Sequence, residues 1–226
     1  MVGIQSESIL WGPLLLKTKV KSEIIDTLKS KGQNNRGKSE LNAEKFLAAS
    51  MHDEWGYTRQ DLEWFISVFD PYVKQYIYRL NNHIDTEVKI EAWGMMGLWI
   101  NYQKANDFNP IHNHIGDLSF IIYLDVPEVL KTERKRLNYT GTGVEHGSVM
   151  FMYGEHNPPF YESRKYYFPQ AGDLFMFPSN LMHSVIPFKT PNLERISVAG
   201  NIANSVQLKD MKKYNEAQKL HAGSKK

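Results

Sequence analysis

The chain has 226 residues, of which 42% are hydrophobic and 12% aromatic, enough apolar content for one sizeable core in a single domain. Its 27 basic and 25 acidic residues leave a formal net charge of +2, a balance that gives no indication of a nucleic-acid partner or an anionic membrane. There is no cysteine, which excludes disulfides and thiolate metal ligands.

Targeting signals are also missing from the sequence. No apolar run approaches the roughly 18 residues of a membrane span, and the N-terminus lacks the charged and apolar regions of a signal peptide. We therefore expect a cytoplasmic protein without a membrane partner, in the host cytoplasm if the chain is viral.

The first part of the chain, residues 1–87, is predicted to be a helical support region. Residues 22–30 are typical of a short helix that ends at Gly32. After Thr58, apolar residues recur at helical intervals, and Thr58 with Asp61 resembles a capping box. Pro71 lies inside this second pattern and predicts either a kink or a break into two helices.

Residues 88–206 have a different pattern, made of short strand-like runs bounded by Gly, Pro, Asn and Asp. The runs are KIEAW, GLWINY, LSFIIYL, SVMFMY, KYYF, DLFMF, HSVIPF and RISVAGN. Eight such runs without intervening helical patterns predict a mainly β fold with N-terminal helices, the double-stranded β-helix or jelly roll of cupin-like barrels. The mouth of such a barrel is a natural ligand cavity.

Residues 207–226 are polar and Lys-rich, and we expect a loosely packed tail.

Three histidines could meet at a metal ion. His112 and His114 are two residues apart, so that both can point to one face of a strand, and His183 would arrive from another strand. A facial site of this kind with open positions suits non-haem iron, for which the usual third ligand is a carboxylate. Three options follow: His114 is the third ligand, Asp117 supplies an oxygen, or the iron keeps two protein ligands.

Arg195 and Ser197 follow the last of these histidines. A 2-oxoacid that chelates iron has a far carboxylate, and the planar fork of an arginine matches it. Ser197, two residues on, would face the same cavity, and Tyr102 and Tyr123 occupy positions where a phenol could close it. The plain alternative for Arg195 is a surface ion pair with Glu194 or another acid.

Four stretches between Trp99 and Ala203 carry a resemblance to a known family. They are WINYQKANDFNPIHNH, LSFIIYLDVP, GSVMFMYG, and AGDLFMFPSNLMHSVIPF followed by ERISVAGNI. In this order they resemble the 2-oxoglutarate- and Fe(II)-dependent oxygenases related to prolyl hydroxylases, in a form with an H-x-H motif that is common in marine phages and bacteria.

The resemblance implies Fe(II) and 2-oxoglutarate as cofactors, O2 as co-substrate, and hydroxylation of an unidentified protein or small molecule with release of succinate and CO2. Peptidyl proline is the substrate that the analogy suggests. Two alternatives stay open: a cupin-like metal dioxygenase or isomerase that uses no 2-oxoglutarate, and a non-catalytic jelly-roll interaction protein.

Overall fold

The structure is a computed structural model that describes residues 12–84, 87–90, 92–136, 146–155 and 162–204. Two antiparallel β-sheets face each other, a six-stranded major sheet in the order β1-β8-β5-β10-β3-β2 and a four-stranded minor sheet in the order β4-β9-β6-β7. The strands are β1 Leu16–Lys19, β2 Glu54–Gly56, β3 Trp93–Gln103, β4 Asn109–His112, β5 Leu118–Asp125, β6 Val149–Met152, β7 Arg164–Tyr167, β8 Asp173–Pro178, β9 Met182–Val185 and β10 Arg195–Asn204.

The predicted double-stranded β-helix is confirmed. Its eight strands are β3 to β10, but they do not coincide with the eight runs seen in the sequence. KIEAW and GLWINY contribute to one long strand, β3, which begins at Trp93. The eighth strand is instead β4, whose four residues NPIH include a proline and lack the apolar alternation that marks the others.

Two helices pack against the major sheet, α1 (Ser22–Asn35) and α2 (Arg59–Asn81). The capping box at the start of α2 is confirmed, because the Thr58 hydroxyl accepts from the Asp61 backbone and the Asp61 carboxylate accepts from the Thr58 backbone. Pro71 lies inside α2 without dividing it. The predicted end of α1 at Gly32 was wrong: the helix continues to Asn35.

Gly32 is instead the place where α1 approaches the sheet. A Cβ atom at this position would lie 2.4 Å from Cδ1 of Ile100 on β3. The glycine that suggested a helix end in the sequence instead allows α1 to pack closely on β3. Only the tertiary contact distinguishes these two roles of Gly32. Beyond the two helices, the described residues contain four short helical segments: three 3-10 helices (Ser39–Leu41, Glu44–Phe46 and Glu128–Thr132) and the helix α3 (Glu133–Arg136).

Alternation along the strands of the major sheet divides the core into two layers. Phe120 and Ile122 of β5 point outward, and Phe120 packs on Phe65 and Phe69 of α2 with ring centroids 5.5 and 4.6 Å apart. Ile121 and Tyr123 of the same strand point inward with residues of the minor sheet. Because side chains alternate with period two, one strand serves both layers.

The N-terminal region also contributes two strands to the major sheet. β1 pairs with β8 at one edge of the major sheet, and β2 pairs with β3 at the other edge.

The predicted tail 207–226 lies outside the described residues. Within the described part of the chain, no helix is long and apolar enough to span a bilayer.

Candidate metal and co-substrate site

The rings of His112, His114 and His183 converge between the two sheets. Their centroids lie 4.2 to 5.0 Å apart, and one nitrogen of each ring lies within 4.8 Å of the others. His112 on β4 is the register partner of His183 on β9, so that these two rings meet through strand pairing. His114 follows the end of β4, where its backbone N–H donates to the Ser179 carbonyl at 2.8 Å.

Hydrogen bonds orient two of the rings. Nδ1 of His112 lies 2.7 Å from the Pro110 carbonyl oxygen, and Nδ1 of His183 lies 2.9 Å from that of Leu181. Because a carbonyl only accepts, each Nδ1 carries the hydrogen and donates it. The lone pair of each Nε2 is therefore free for a metal, an arrangement typical of metal-binding histidines.

The histidines are neutral in this environment. Burial lowers the pKa of His183 to about 3 and that of His114 to about 4, with His112 adding to the shift, and burial also lowers the pKa of His112. Three neutral imidazoles with converging nitrogens are a donor set that fits a first-row divalent metal such as Fe(II).

Asp117, the alternative third ligand, does not join this cluster. Its carboxylate accepts a hydrogen bond from the backbone N–H of Asn204 at 2.7 Å. The described residues contain one group of histidines and acids with metal-binding spacing, and it holds the three histidines only. Asp117 therefore fixes the end of β10 in this structure.

Arg195 lies in the same cleft as the histidines and is 1% exposed. Its Nε donates to Oε1 of Gln103 at 2.9 Å, Nη2 donates to the same oxygen, and Nη1 donates to the Gly147 carbonyl. All of these acceptors are neutral, and no ion pair joins Arg195 to a carboxylate in the described part of the chain. Burial lowers the pKa of Arg195. The cleft thus contains a buried cation for which the described residues supply no counter-ion.

Glu194, proposed as a surface partner of Arg195, has another role. Its carboxylate pairs with the guanidinium of Arg36 at 2.7 Å, on the opposite side of the sheet. The surface ion pair expected for Arg195 was therefore wrong, because Arg195 is buried at the start of β10 and Glu194, which precedes the strand, binds Arg36 instead.

The alternation of faces along the strands places Ser197 and Tyr123 in the cleft and Tyr102 outside it. Ser197 pairs with Tyr123 of β5 and with Asn101 of β3, and all three side chains line the cleft. Tyr123 is buried and its hydroxyl has no hydrogen-bond partner among the described residues. Tyr102 does not line the cleft, which corrects the prediction: it pairs with Ile196 on the outer face, where the Arg36 guanidinium lies 3.8 Å from its ring centroid.

Glu54, which the sequence analysis missed, also lines this cleft. It is 1% exposed, and both of its carboxylate oxygens are buried without a hydrogen-bond partner in the described residues. Burial, with the charges of Glu44 and Asp107, raises its pKa to about 8. The sequence HDEWG contains no local signal that distinguishes Glu54 from the acid before it.

Residues 97–201 match a family model described as "Putative 2OG-Fe(II) oxygenase". This range contains the three histidines, Arg195 and Ser197. The resemblance inferred from the motifs is confirmed. No curated protein sequence matches the chain.

Solved structures support the fold. A prolyl-4-hydroxylase from Pseudomonas putida superimposes with a TM-score of 0.52 at 13% identity, over 84% of this chain and 92% of the other. A prolyl hydroxylase from Trichoplax adhaerens, in complex with a hypoxia inducible factor oxygen degradation domain peptide fragment, has a TM-score of 0.51 at 11% identity, over 85% and 84% of the two chains. At these identities the likeness shows a common fold.

Proposed function

We propose that the chain is a 2-oxoglutarate- and Fe(II)-dependent dioxygenase, which the family match over residues 97–201 and the fold support. In this proposal the iron is held by His112, His114 and His183. The co-substrate is held by Arg195, Ser197 and Tyr123. When bound, these two groups supply the oxidation: O2 and 2-oxoglutarate are consumed, one oxygen atom enters the substrate, and succinate and CO2 leave.

The observation that carries this proposal is the buried guanidinium of Arg195. An unpaired charge in a protein interior is costly, and here it faces the cleft that also holds the three neutral histidines. A dicarboxylate bound at the histidines by one end would place its other carboxylate against this cation. Charge-assisted hydrogen bonds from the guanidinium would then offset the cost of burying Arg195.

Neighbouring side chains complete the pocket for that carboxylate. Ser197 lies two residues after Arg195 on β10, Tyr123 lies on the neighbouring strand β5, and both hydroxyls can donate. Apolar walls formed by Ile121 and Phe177 keep water from the same space, which strengthens each polar contact. The role of Gln103 is to orient the guanidinium, since its amide oxygen accepts from two of the guanidinium nitrogens.

The test is succinate release from 2-oxoglutarate by the Fe(II)-loaded protein without added substrate. We expect slow succinate release that is lost in Arg195→Met, while Fe(II) binding is retained. If the protein binds Fe(II) but neither binds nor consumes 2-oxoglutarate, it is a cupin-like enzyme of another kind. Peptidyl proline stays a prediction of the sequence analysis, and a proline-rich peptide added to the same assay tests it.

A further inference from the structure

The carboxyl group of Glu54 is a buried acid in the cleft that the oxidation proposed above does not use. Glu54 opens the edge strand β2, where it is the register partner of Asn101. Across the inner face of the major sheet the pairing gives one polar row in the order Tyr123, Ser197, Asn101, Glu54. Neighbouring strands are about 4.8 Å apart, so Glu54 stands about 10 Å from Ser197, beyond the pocket assigned to the co-substrate.

The adjacent acid, Asp53, has a fully hydrogen-bonded carboxylate at the same edge of the sheet. Asp53 accepts hydrogen bonds from Arg36, Trp55 and Lys104, and these donors outweigh burial and lower its pKa. Glu54 points to the other face, where the described residues offer it no donor. Of the two neighbouring carboxyl groups, that of Asp53 has hydrogen-bond donors, whereas that of Glu54 faces the cavity without a donor in the described residues.

Further acceptors without donors lie around Glu54. The side-chain oxygens of Asn101 on the major sheet and Asn109 on the minor sheet are both buried without a partner in the described residues, and both side chains line the cleft. The Asn101 amide nitrogen donates to Ser197 at 3.3 Å, which leaves its oxygen for another donor. Acceptors from both sheets thus surround one space, and a ligand that fits them must supply hydrogen-bond donors.

Two acidic side chains lie near this end of the cleft. Glu44 and Asp107 are close enough to raise the pKa of Glu54. The side chains of Leu47, Ala48 and Met51 form an apolar wall of the same cleft. A group suited to this environment combines positive charge, several N–H donors and an apolar stem. A protonated primary amine has these properties, with three N–H donors on one nitrogen.

We propose that Glu54 is a specificity-determining residue that binds a protonated amine of the primary substrate, with Asn101 and Asn109 as additional acceptors. The proposal rests on the proposed function, since it assigns to that oxygenase the substrate class of alkyl amines. Binding of the ammonium group supplies the counter-ion that the Glu54 carboxylate lacks, and it orients the attached carbon chain in the cleft that contains the three histidines.

The test uses n-butylammonium as the probe and 1-butanol as the uncharged control with the same stem. Both are titrated into the full chain, loaded with Fe(II) and 2-oxoglutarate under anaerobic conditions, and binding is followed by ligand-observed NMR. We expect Glu54→Gln to weaken n-butylammonium binding at least about tenfold, or about 1.4 kcal/mol, with the affinity for 1-butanol unchanged. Glu44→Gln is the matched control, because Glu44 contributes charge without lining the cleft, and we expect a loss of less than about threefold.

Three results would overturn the proposal: absence of n-butylammonium binding to the wild type, equal affinity for the ammonium ion in wild type and Glu54→Gln, or an equal loss in Glu54→Gln and Glu44→Gln. Succinate release without substrate is measured on the same proteins. If wild type releases succinate while the amine results fail, the amine site alone is wrong. If amine binding depends on Glu54 but no 2-oxoglutarate is bound or consumed, the amine site stands and the proposed function is wrong.

Discussion

Two buried ionisable side chains, the guanidinium of Arg195 and the carboxyl group of Glu54, face the same cleft, and their surroundings differ. Arg195 is held by Gln103 and Gly147, so that its guanidinium is fixed before any ligand arrives. The side-chain oxygens of Glu54 have no hydrogen-bond partner in the described residues. One end of the cleft is therefore organised in advance, and the other end is left for a ligand to complete.

The separation of these two groups also matters. A fold that only required stability could pair the two charges or replace both by apolar residues at little cost. Here Arg195 is on β10 and Glu54 is on β2, with β3 between them. We infer that each group is retained for its own ligand: a co-substrate carboxylate at Arg195 and an amine at Glu54.

The largest expected effect concerns the metal, on which both ends of the cleft depend. Replacing a residue that supports a metal ligand typically lowers affinity 10- to 100-fold, so loss of a ligand in His183→Ala or His114→Ala should lower Fe(II) affinity by at least about 100-fold. Anaerobic titration with Fe(II) measures this effect. Unchanged affinity in His114→Ala would remove that residue from the site and leave two protein ligands.

Arg195→Met tests the organised end of the cleft. The substitution removes the guanidinium and keeps a long apolar stem, so the barrel should still fold. Loss of a charge-assisted pair should cost roughly 1.5 to 3 kcal/mol of 2-oxoglutarate binding, which is more than tenfold in affinity. Titration of the anaerobic Fe(II) protein with 2-oxoglutarate measures it. The same affinity in wild type and variant would mean that another group binds the far carboxylate.

Glu54→Gln tests the other end through stability. Burial raises the pKa of Glu54 from its usual 4.5 to about 8 in the folded protein. The unfolded chain therefore loses its proton first, and the wild type loses stability as pH rises from about 4.5 to 8. The glutamine variant has no such loss, so it should equal the wild type at pH 4 and exceed it by roughly 3 kcal/mol at pH 7. Chemical denaturation at both pH values measures this difference. A variant that is less stable than wild type at pH 7 would show that the Glu54 carboxylate already has a stabilising partner.

Asp117→Asn should have the smallest effect on the site. Because the Asp117 carboxylate binds the Asn204 backbone and lies outside the histidine cluster, Fe(II) affinity should change less than about twofold, while the free energy of unfolding falls by about 1 kcal/mol through the weakened hydrogen bond. Fe(II) titration and denaturation of the same sample separate the two effects. A loss of Fe(II) affinity as large as that of His114→Ala would make Asp117 a ligand.

Patterns confined to one segment were predictable from the sequence. The capping box of α2 depends on residues three positions apart, and the inner and outer faces of β5 follow from alternation within the strand. The convergence of His112 and His183 was predictable because each histidine occurs in a recognisable motif. The absence of the usual carboxylate after His112 was visible as well, and so were the options for replacing it.

The sequence by itself determined the fold class, the three histidines and the buried arginine, because each is expressed in local periodicity or a motif. Only the tertiary structure decided which side chains share the cleft. Tyr102 faces outward and Glu54 faces inward because β3 pairs with β10 and β2 in a particular register. A shift of one residue would exchange these faces, and register between distant segments depends on pairing and packing that no single segment encodes.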